Sequence, residues 1–316
     1  MAKGFASTGD MTAKKISFTE VGEGLFAFTA EGDPNTGVII GDDAVMVVDA
    51  QATPVMARQV LAEIRKVTDK PVKHVVLTHY HAVRVLGASA YGASEIIASD
   101  MCRSMIVERG KEDWDSEFAR FPRLFQAAET IPGLTWPTLT FKDRLSVYLG
   151  RRRIDLMHLG RAHTAGDIVA YVPDAGVMFS GDIVEYHSAC YCGDAHFGDW
   201  PKTLDALAAF NPKALAPGRG GALIGEAKVR EALALTRAFL AGIFEPVAKA
   251  ALRGGTLKDA MAAARAACDG RFGSYAIYEH CLPFNVARAY DEALGIDHPR
   301  IWTAARDKEM WGALQG

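Results

Sequence analysis

The chain has 316 residues, 35 Lys+Arg against 38 Asp+Glu, and a formal net charge of −3. With 49% apolar and 23% charged residues it is globular in composition, which excludes a disordered, collagen-like or coiled-coil protein. The slight acid excess argues against a nucleic-acid partner, because such partners demand clustered Lys and Arg.

In chain order, Met1 to Lys15 mixes Lys, Ser, Thr, Gly and Asp without an apolar h-region, so no secretory signal is expected. Leu25 to Thr29 reads as a short strand after a Gly-rich turn. Gly37 to Ile40 and Ala44 to Asp49 are β-branched runs joined through Gly41-Asp42-Asp43, a hairpin signal. Thr53-Pro54 starts a helix, with a capping hydroxyl and then Pro at the first helical position, and Val60, Ile64 and Val67 share one face. His74 to Thr78 is a continuous apolar run that ends abruptly in His79-Tyr80-His81. Buried strands of layered α/β proteins deliver polar groups at such ends.

Residues 101 to 140 carry Ile106, Trp114, Phe118, Phe121, Leu124, Phe125 and Trp136 among charges, partly at helical spacing. This predicts an inserted helical segment whose aromatic residues pack on the core, or else wall a pocket. Strands resume at Arg144 to Leu149, Ile154 to Leu159, Ile168 to Val172 and Val177 to Ser180. The basic run Arg151-Arg152-Arg153 follows Gly150 and reads as a solvated hairpin turn. From Gly225 the chain is mostly helical, with breaks near Gly254-Gly255 and Gly270 to Gly273. The organisation is therefore a layered domain over residues 16–224 and a helical extension over 225–316 packed on it. No apolar stretch reaches the roughly 18–20 residues that span a bilayer. Five cysteines, an odd number in a large chain, suit a reducing compartment, so a cytoplasmic protein with no membrane partner is expected.

Three segments close separate predicted strands: Thr78-His79-Tyr80-His81, Ala162 to Asp167 with His163, and Ser180-Gly181-Asp182. His79 and His81 leave one strand end two positions apart, which aims both rings to one side. Imidazoles with a carboxylate make a site for zinc or a similar divalent ion, and three histidines leave a position open for water.

In the order of these motifs the chain resembles the metallo-β-lactamase superfamily over about residues 20 to 222. The resemblance includes Gly22-x-Gly24, the strand end Val47-Val48-Asp49, the Thr-His-x-His, Ala-His-Thr-x-Gly-Asp and Ser-Gly-Asp segments, and Ala216 to Gly220. It implies an α/β (α+β) fold, a four-layer αββα sandwich with a metal site along one edge. By this resemblance His79, His81 and His163 are imidazole ligands, Asp182 is the carboxylate that bridges metals in dinuclear members, and Asp49 holds the histidine loop from behind. The family's second metal site does not match. Val83 stands where its aspartate belongs, and Arg84 and Arg219 stand where its histidines belong. A guanidinium stays protonated and ligates no metal. One divalent ion is therefore expected, zinc first and Fe2+ as the alternative, with Arg84 and Arg219 supplying the second ion's positive charge. These two guanidiniums form a fork for an anionic substrate or an oxyanion, or else a structural ion pair with Asp182 or another carboxylate in a metal-free site.

The loop after Asp182 reads Glu185 to His196. Tyr186, His187 and Tyr191 are expected to line the pocket. His187, Cys190, Cys192 and His196 form an alternative metal group without zinc-finger spacing, and a catalytic cysteine served by His187 or His196 is a further alternative. The function expected is a mononuclear metallohydrolase in which a metal-bound hydroxide attacks an ester, lactone, amide or similar bond of a small anionic substrate. Asp182 would orient the water or take its proton. The alternatives are a mononuclear non-haem iron oxygenase using His79, His163 and Asp182, and a non-catalytic ligand-binding relative. A homo-oligomer through the C-terminal helices is a further expectation.

Overall fold

The computed structural model describes residues 7–315; the first part of the N-terminal segment read for a signal lies outside them. Two mixed sheets face each other. The first is ordered β1(Ile16–Gly22), β2(Leu25–Ala30), β3(Thr36–Ile40), β4(Val45–Val48), β5(Val72–Val76), β6(Glu95–Ser99) and β7(Leu139–Phe141). The second runs from its far edge as β8(Arg144–Leu149), β9(Arg152–Met157), β10(Val169–Val172), β11(Val177–Phe179), β12(Ala214–Ala216) and β13(Leu223–Ile224). Between the sheets lie Ile39, Met46, Val48 and Val76 from the first and Ile154, Leu156, Ala170 and Phe179 from the second, all buried. The αββα sandwich expected from the motifs is the observed architecture.

Helices cover both outer faces. α1(Pro54–Val67) begins as its sequence predicts, with the Thr53 hydroxyl accepting from Met56 N–H at 3.2 Å, and buries Met56, Ala57, Val60 and Ile64. A one-turn α2(Ala82–Val85) follows the histidine segment. α3(Asp100–Arg120) is the inserted helix, capped by Ser99. Its inward face is half polar, burying Cys102, Met105 and Ile106 with Arg109, Asp113, Ser116 and Arg120. The aromatic residues of 101–140 divide: Phe121 and Phe125 are buried, whereas Phe118 and Trp136 are exposed. α4(Trp200–Ala208) lies on the second sheet. α5(Glu226–Leu252), α6(Leu257–Phe272), α7(Tyr278–Ala293) and α8(Ala304–Gln315) form the C-terminal extension. One apolar cluster joins Met178, Leu215 and Leu223 of the second sheet to Phe239, Ile243 and Phe284 of these helices.

The strand ends differ from the sequence expectation where function begins. β5 stops at Val76, not Thr78. His79 and His81 therefore sit on irregular chain leading into α2, and strand periodicity does not aim their rings. Parallel pairing of β5 with β4 and β6 sets where that chain departs. β9 likewise starts early, so Arg152 and Arg153 are strand residues and only Arg151 occupies the turn, paired with Asp42.

Candidate metal centre

The loops following β4, β5, β9, β11 and β12 meet along one edge of the sandwich. Asp49, just past β4, takes a left-handed conformation (φ 65°). That turn directs its carboxylate across to the neighbouring loop, where it accepts from the Thr78 N–H and the Thr78 hydroxyl, both at 2.8 Å. The hydroxyl's one proton is thereby used, so its oxygen accepts from His79 Nδ1 at 3.0 Å. This fixes the tautomer: His79 Nε2 is left bare and points into the site.

The other two histidines are set the same way by different partners. His163 Nδ1 donates to the Tyr191 carbonyl at 2.7 Å, which leaves Nε2 facing inward. His81 donates from Nε2 to Asp194 Oδ2 at 3.2 Å, which turns its Nδ1 inward. Each ring thus spends one nitrogen on the protein and offers the other to a shared point, the arrangement that orients metal-binding imidazoles.

The donor spacing fits a small ion. A tetrahedral zinc with bonds of ~2.0–2.1 Å places its donors roughly 3.3 Å apart. Here His81 Nδ1 and His163 Nε2 are 2.9 Å apart, His163 Nε2 lies 3.5 Å from Asp182 Oδ2, and His79 Nε2 lies 3.7 Å from the same oxygen. His79 Nε2 is buried and has no hydrogen-bond partner, a cost that an ion removes. Among the described residues, His79, His81 and His163 are the one group of three or more histidine, cysteine or acidic side chains close enough to share an ion.

The charges agree with that role. Burial drives the His79 pKa well below its ordinary value and that of His163 down to about 3, so both rings are neutral, as metal ligation requires. Burial acts the same way on His81, but Asp113, Asp194 and Glu117 outweigh it and raise the pKa to about 9. In the metal-free chain the proton between His81 and His163 accordingly belongs to His81. Burial raises the Asp182 pKa, and Arg84, with His163, Arg219 and His81, together more than reverse this, keeping Asp182 a carboxylate.

The residues expected in place of a second ion's ligands include two buried arginines. Arg84, fully buried, donates from Nη2 to Asp182 Oδ1 and to the Gly218 carbonyl (2.8 Å), and from Nη1 to the Asn35 carbonyl (2.9 Å). Gly218 has to be glycine, because a Cβ there would run into Asp182. Arg219 lies nearby with Nη1 on the Gly32 carbonyl at 3.3 Å and Nε without a hydrogen-bond partner. Glu185 Oε1 is 3.8 Å from that Nε. Burial pushes the Glu185 pKa well up, and neither of its oxygens has a hydrogen-bond partner.

A cavity of about 20 Å³ opens beside the inward nitrogens, room for about one water molecule. Its wall includes His81, His163, Asp182 and Arg219, with Val83, Glu117, Phe121, Tyr191, Ile277 and His280. Arg84 is absent from that wall, and so are Tyr186 and His187. Tyr186 and His187 pack against each other, and His187 is exposed beside Tyr275. Cys190 and Cys192 are buried free thiols and His196 is buried, and the four residues of that loop do not gather into a metal group. Burial raises both thiol pKa values well above the ordinary range, so neither is a poised nucleophile.

Several working residues were not singled out from the sequence. α3 lays Arg109, Asp113 and Glu117 in a stripe four residues apart against the histidine segment. Arg109 holds Asp194 at 2.9 Å, Asp113 accepts from Ala82 N–H at 2.7 Å, and Glu117 accepts from Val83 N–H at 3.0 Å. The four-residue period was the available signal, although charges at that period read as a solvated face.

A sandwich of two sheets thus brings three histidines and an aspartate together along one edge. The model of the metallo-beta-lactamase superfamily matches residues 29–219, and the chain belongs to that superfamily. It is 26% identical over 243 residues to the linear primary-alkylsulfatase of Pseudomonas sp. (strain ATCC 19151), covering 66% of this chain and 45% of the relative. It is 34% identical over 93 residues to metallo-beta-lactamase type 2 of Bacteroides fragilis, covering 28% of this chain and 37% of the relative. The chain therefore spans less than half the length of these two relatives. Among solved structures, a stereoselective inverting sec-alkylsulfatase from Pseudomonas sp. superposes with a TM-score of 0.71 at 18% identity, over 89% of this chain and 50% of that one. A metallo-beta-lactamase from Pontibacter korlensis gives 0.57 at 18% identity, over 72% and 99%. At these identities the structures show the shared fold. No helix among the described residues is long and apolar enough to cross a membrane.

Proposed function

We propose that the protein is a hydrolase that uses one divalent metal ion, zinc first, to open an ester-like bond of a small anionic substrate. The carrying observation is the set of inward nitrogens of His79, His81 and His163 beside Asp182, each ring fixed from behind by its own partner. An ion held there supplies Lewis acidity and lowers the pKa of water towards ~7. Asp182 Oδ2 faces the same point, where it would orient a water held there.

Arg84 and Arg219 divide the work read for them as a pair. Arg84 neutralises Asp182 from behind the wall, standing in for a second ion. Arg219 faces the cavity with unused donor capacity, so it grips the anionic group of the substrate. Glu117 and Asp182 are the carboxylates on the cavity wall placed to carry a proton. An organic sulfate ester is the first substrate class to test, because the likeness to alkylsulfatases coincides with a guanidinium at the cavity. The iron-oxygenase reading needs His81 to stand aside, whereas its Nδ1 lies 2.9 Å from His163 Nε2.

The test is metal content by elemental analysis, then a panel of sulfate esters, carboxylic esters and lactones with and without chelator. Hydrolysis that chelator abolishes and zinc restores is expected, and His79→Ala with His163→Ala should remove it. Stoichiometric iron with oxygen consumption would replace the hydrolase reading. Retention of all measurable function in the double variant would favour a non-catalytic binding protein.

A further inference from the structure

Two of the three inward-facing histidines take their orientation from one short loop. Residues 190–194 supply the Tyr191 carbonyl to His163 Nδ1 and the Asp194 carboxylate to His81 Nε2. His81 depends on this more than the others. It presents Nδ1 to the shared point, whereas His79 and His163 present Nε2. Rotation of an imidazole about its broad two-fold χ2 would carry Nδ1 out of the site. The bond to Asp194 opposes that rotation, and Arg109 at 2.9 Å holds Asp194 in place.

The loop is in turn held by the C-terminal extension. Asn285 of α7, fully buried, accepts from Cys192 N–H at 2.6 Å and donates to the Cys190 carbonyl at 2.8 Å. It pairs with the loop backbone much as a neighbouring strand would. Trp302 donates from Nε1 to the Gly193 carbonyl at 3.0 Å, and Arg288 donates from Nε to the Ala195 carbonyl at 2.6 Å. At the loop's start, Ala189 N–H donates to the Ala276 carbonyl at 2.9 Å.

We infer that loop 190–194, clamped by the C-terminal helices, is the orienting shell of the metal site, with Asp194 and Asn285 as positioning residues. This rests on the reading that the three histidines hold an ion. Metal affinity and docking of α7 are then coupled. An ion that binds the oriented rings favours the clamped loop, and by reciprocity undocking α7 weakens the ion's hold.

The test uses the full chain, stripped of metal and titrated with zinc against a chromophoric chelator, with Co2+ spectra as a report on ligand geometry. Wild type should bind one zinc. Asp194→Asn should weaken binding by about 10–100-fold, with an altered Co2+ spectrum, and Asp194→Glu should recover part of the loss. Asn285→Ala should weaken zinc binding by about tenfold or more although it touches no ligand. Trp302→Phe keeps the ring and removes one hydrogen bond to the loop, and should shift zinc affinity in the same direction by a smaller factor. A purely structural role would lower the melting temperature and leave the zinc affinity and the Co2+ spectrum of the folded protein unchanged. Hydrogen exchange on wild type gives a measurement independent of any variant's folding: zinc should increase amide protection in residues 189–196 and at the start of α7. Wild-type zinc affinity in folded Asp194→Asn and Asn285→Ala, or no change in protection, overturns the inference while the metal site stands. A wild type that takes up no zinc overturns the metal reading itself, and this is seen without any variant.

Discussion

Arg84→Met tests the proposed division between an arginine behind Asp182 and one facing the cavity. The substitution keeps an unbranched stem but ends short of the guanidinium, removing that group and its charge from a site with no solvent access. Asp182 loses its direct partner, and the Gly218 and Asn35 carbonyls lose donors at 2.8 and 2.9 Å. Removing one member of a buried pair costs about 3–5 kcal/mol, because the other charge stays buried and uncompensated. A domain holds only about 5–15 kcal/mol in all, so the metal-free variant should unfold at a much lower denaturant concentration. Zinc places positive charge against Asp182 from the other side, so the loss should be smaller in the zinc-saturated protein. The assay is urea unfolding at pH 7 of wild type and variant, each metal-free and zinc-loaded. A metal-free loss below about 1 kcal/mol, the scale of an exposed ion pair, would refute the claim that Arg84 neutralises Asp182. So would an equal loss in both metal states.

Arg219→Met should raise KM for an anionic substrate well above its effect on a neutral analogue, whereas a folded Arg84 variant should alter both alike; the reverse pattern would exchange their roles. Elemental analysis should find close to one zinc per chain, and two tightly held ions would remove the idea that guanidinium groups fill the second site. The pKa of His81 near 9 means that zinc displaces a proton from it. Apparent zinc affinity should therefore rise by about tenfold per pH unit from pH 7 and level off near 9; a flat profile would show that His81 is already neutral. Without metal the sign for stability is opposite. The folded-state pKa of His81 lies above its ordinary 6.5, so its contribution is complete below that pH and is lost as pH rises through about 9. The melting temperature of the metal-free chain should fall across that window, and a rise there would contradict the assignment.

Much of the candidate site was legible in the sequence because its chemistry is local. His79-x-His81, His163 and Asp182 each close an apolar run, and a sheet edge gathers such ends whatever the details of the fold. Val83, Arg84 and Arg219 carried the expectation of a single ion on residue type alone, since a guanidinium does not ligate. The aim of the rings was not legible. β5 ends two residues before Thr78, so the tautomers follow from Asp49, Tyr191 and Asp194 and not from strand alternation. Nor was the separation of the two arginines, one walled in behind Asp182 and one facing the cavity. Arg109, Asp113 and Glu117 looked like the wet side of a helix, and Asn285 and Trp302 like ordinary parts of a C-terminal helical region. Periodicity reports which side chains share a face, but what that face meets is decided by packing between segments about 30 to 110 residues apart. A buried charge is tolerable only where that packing brings it a partner.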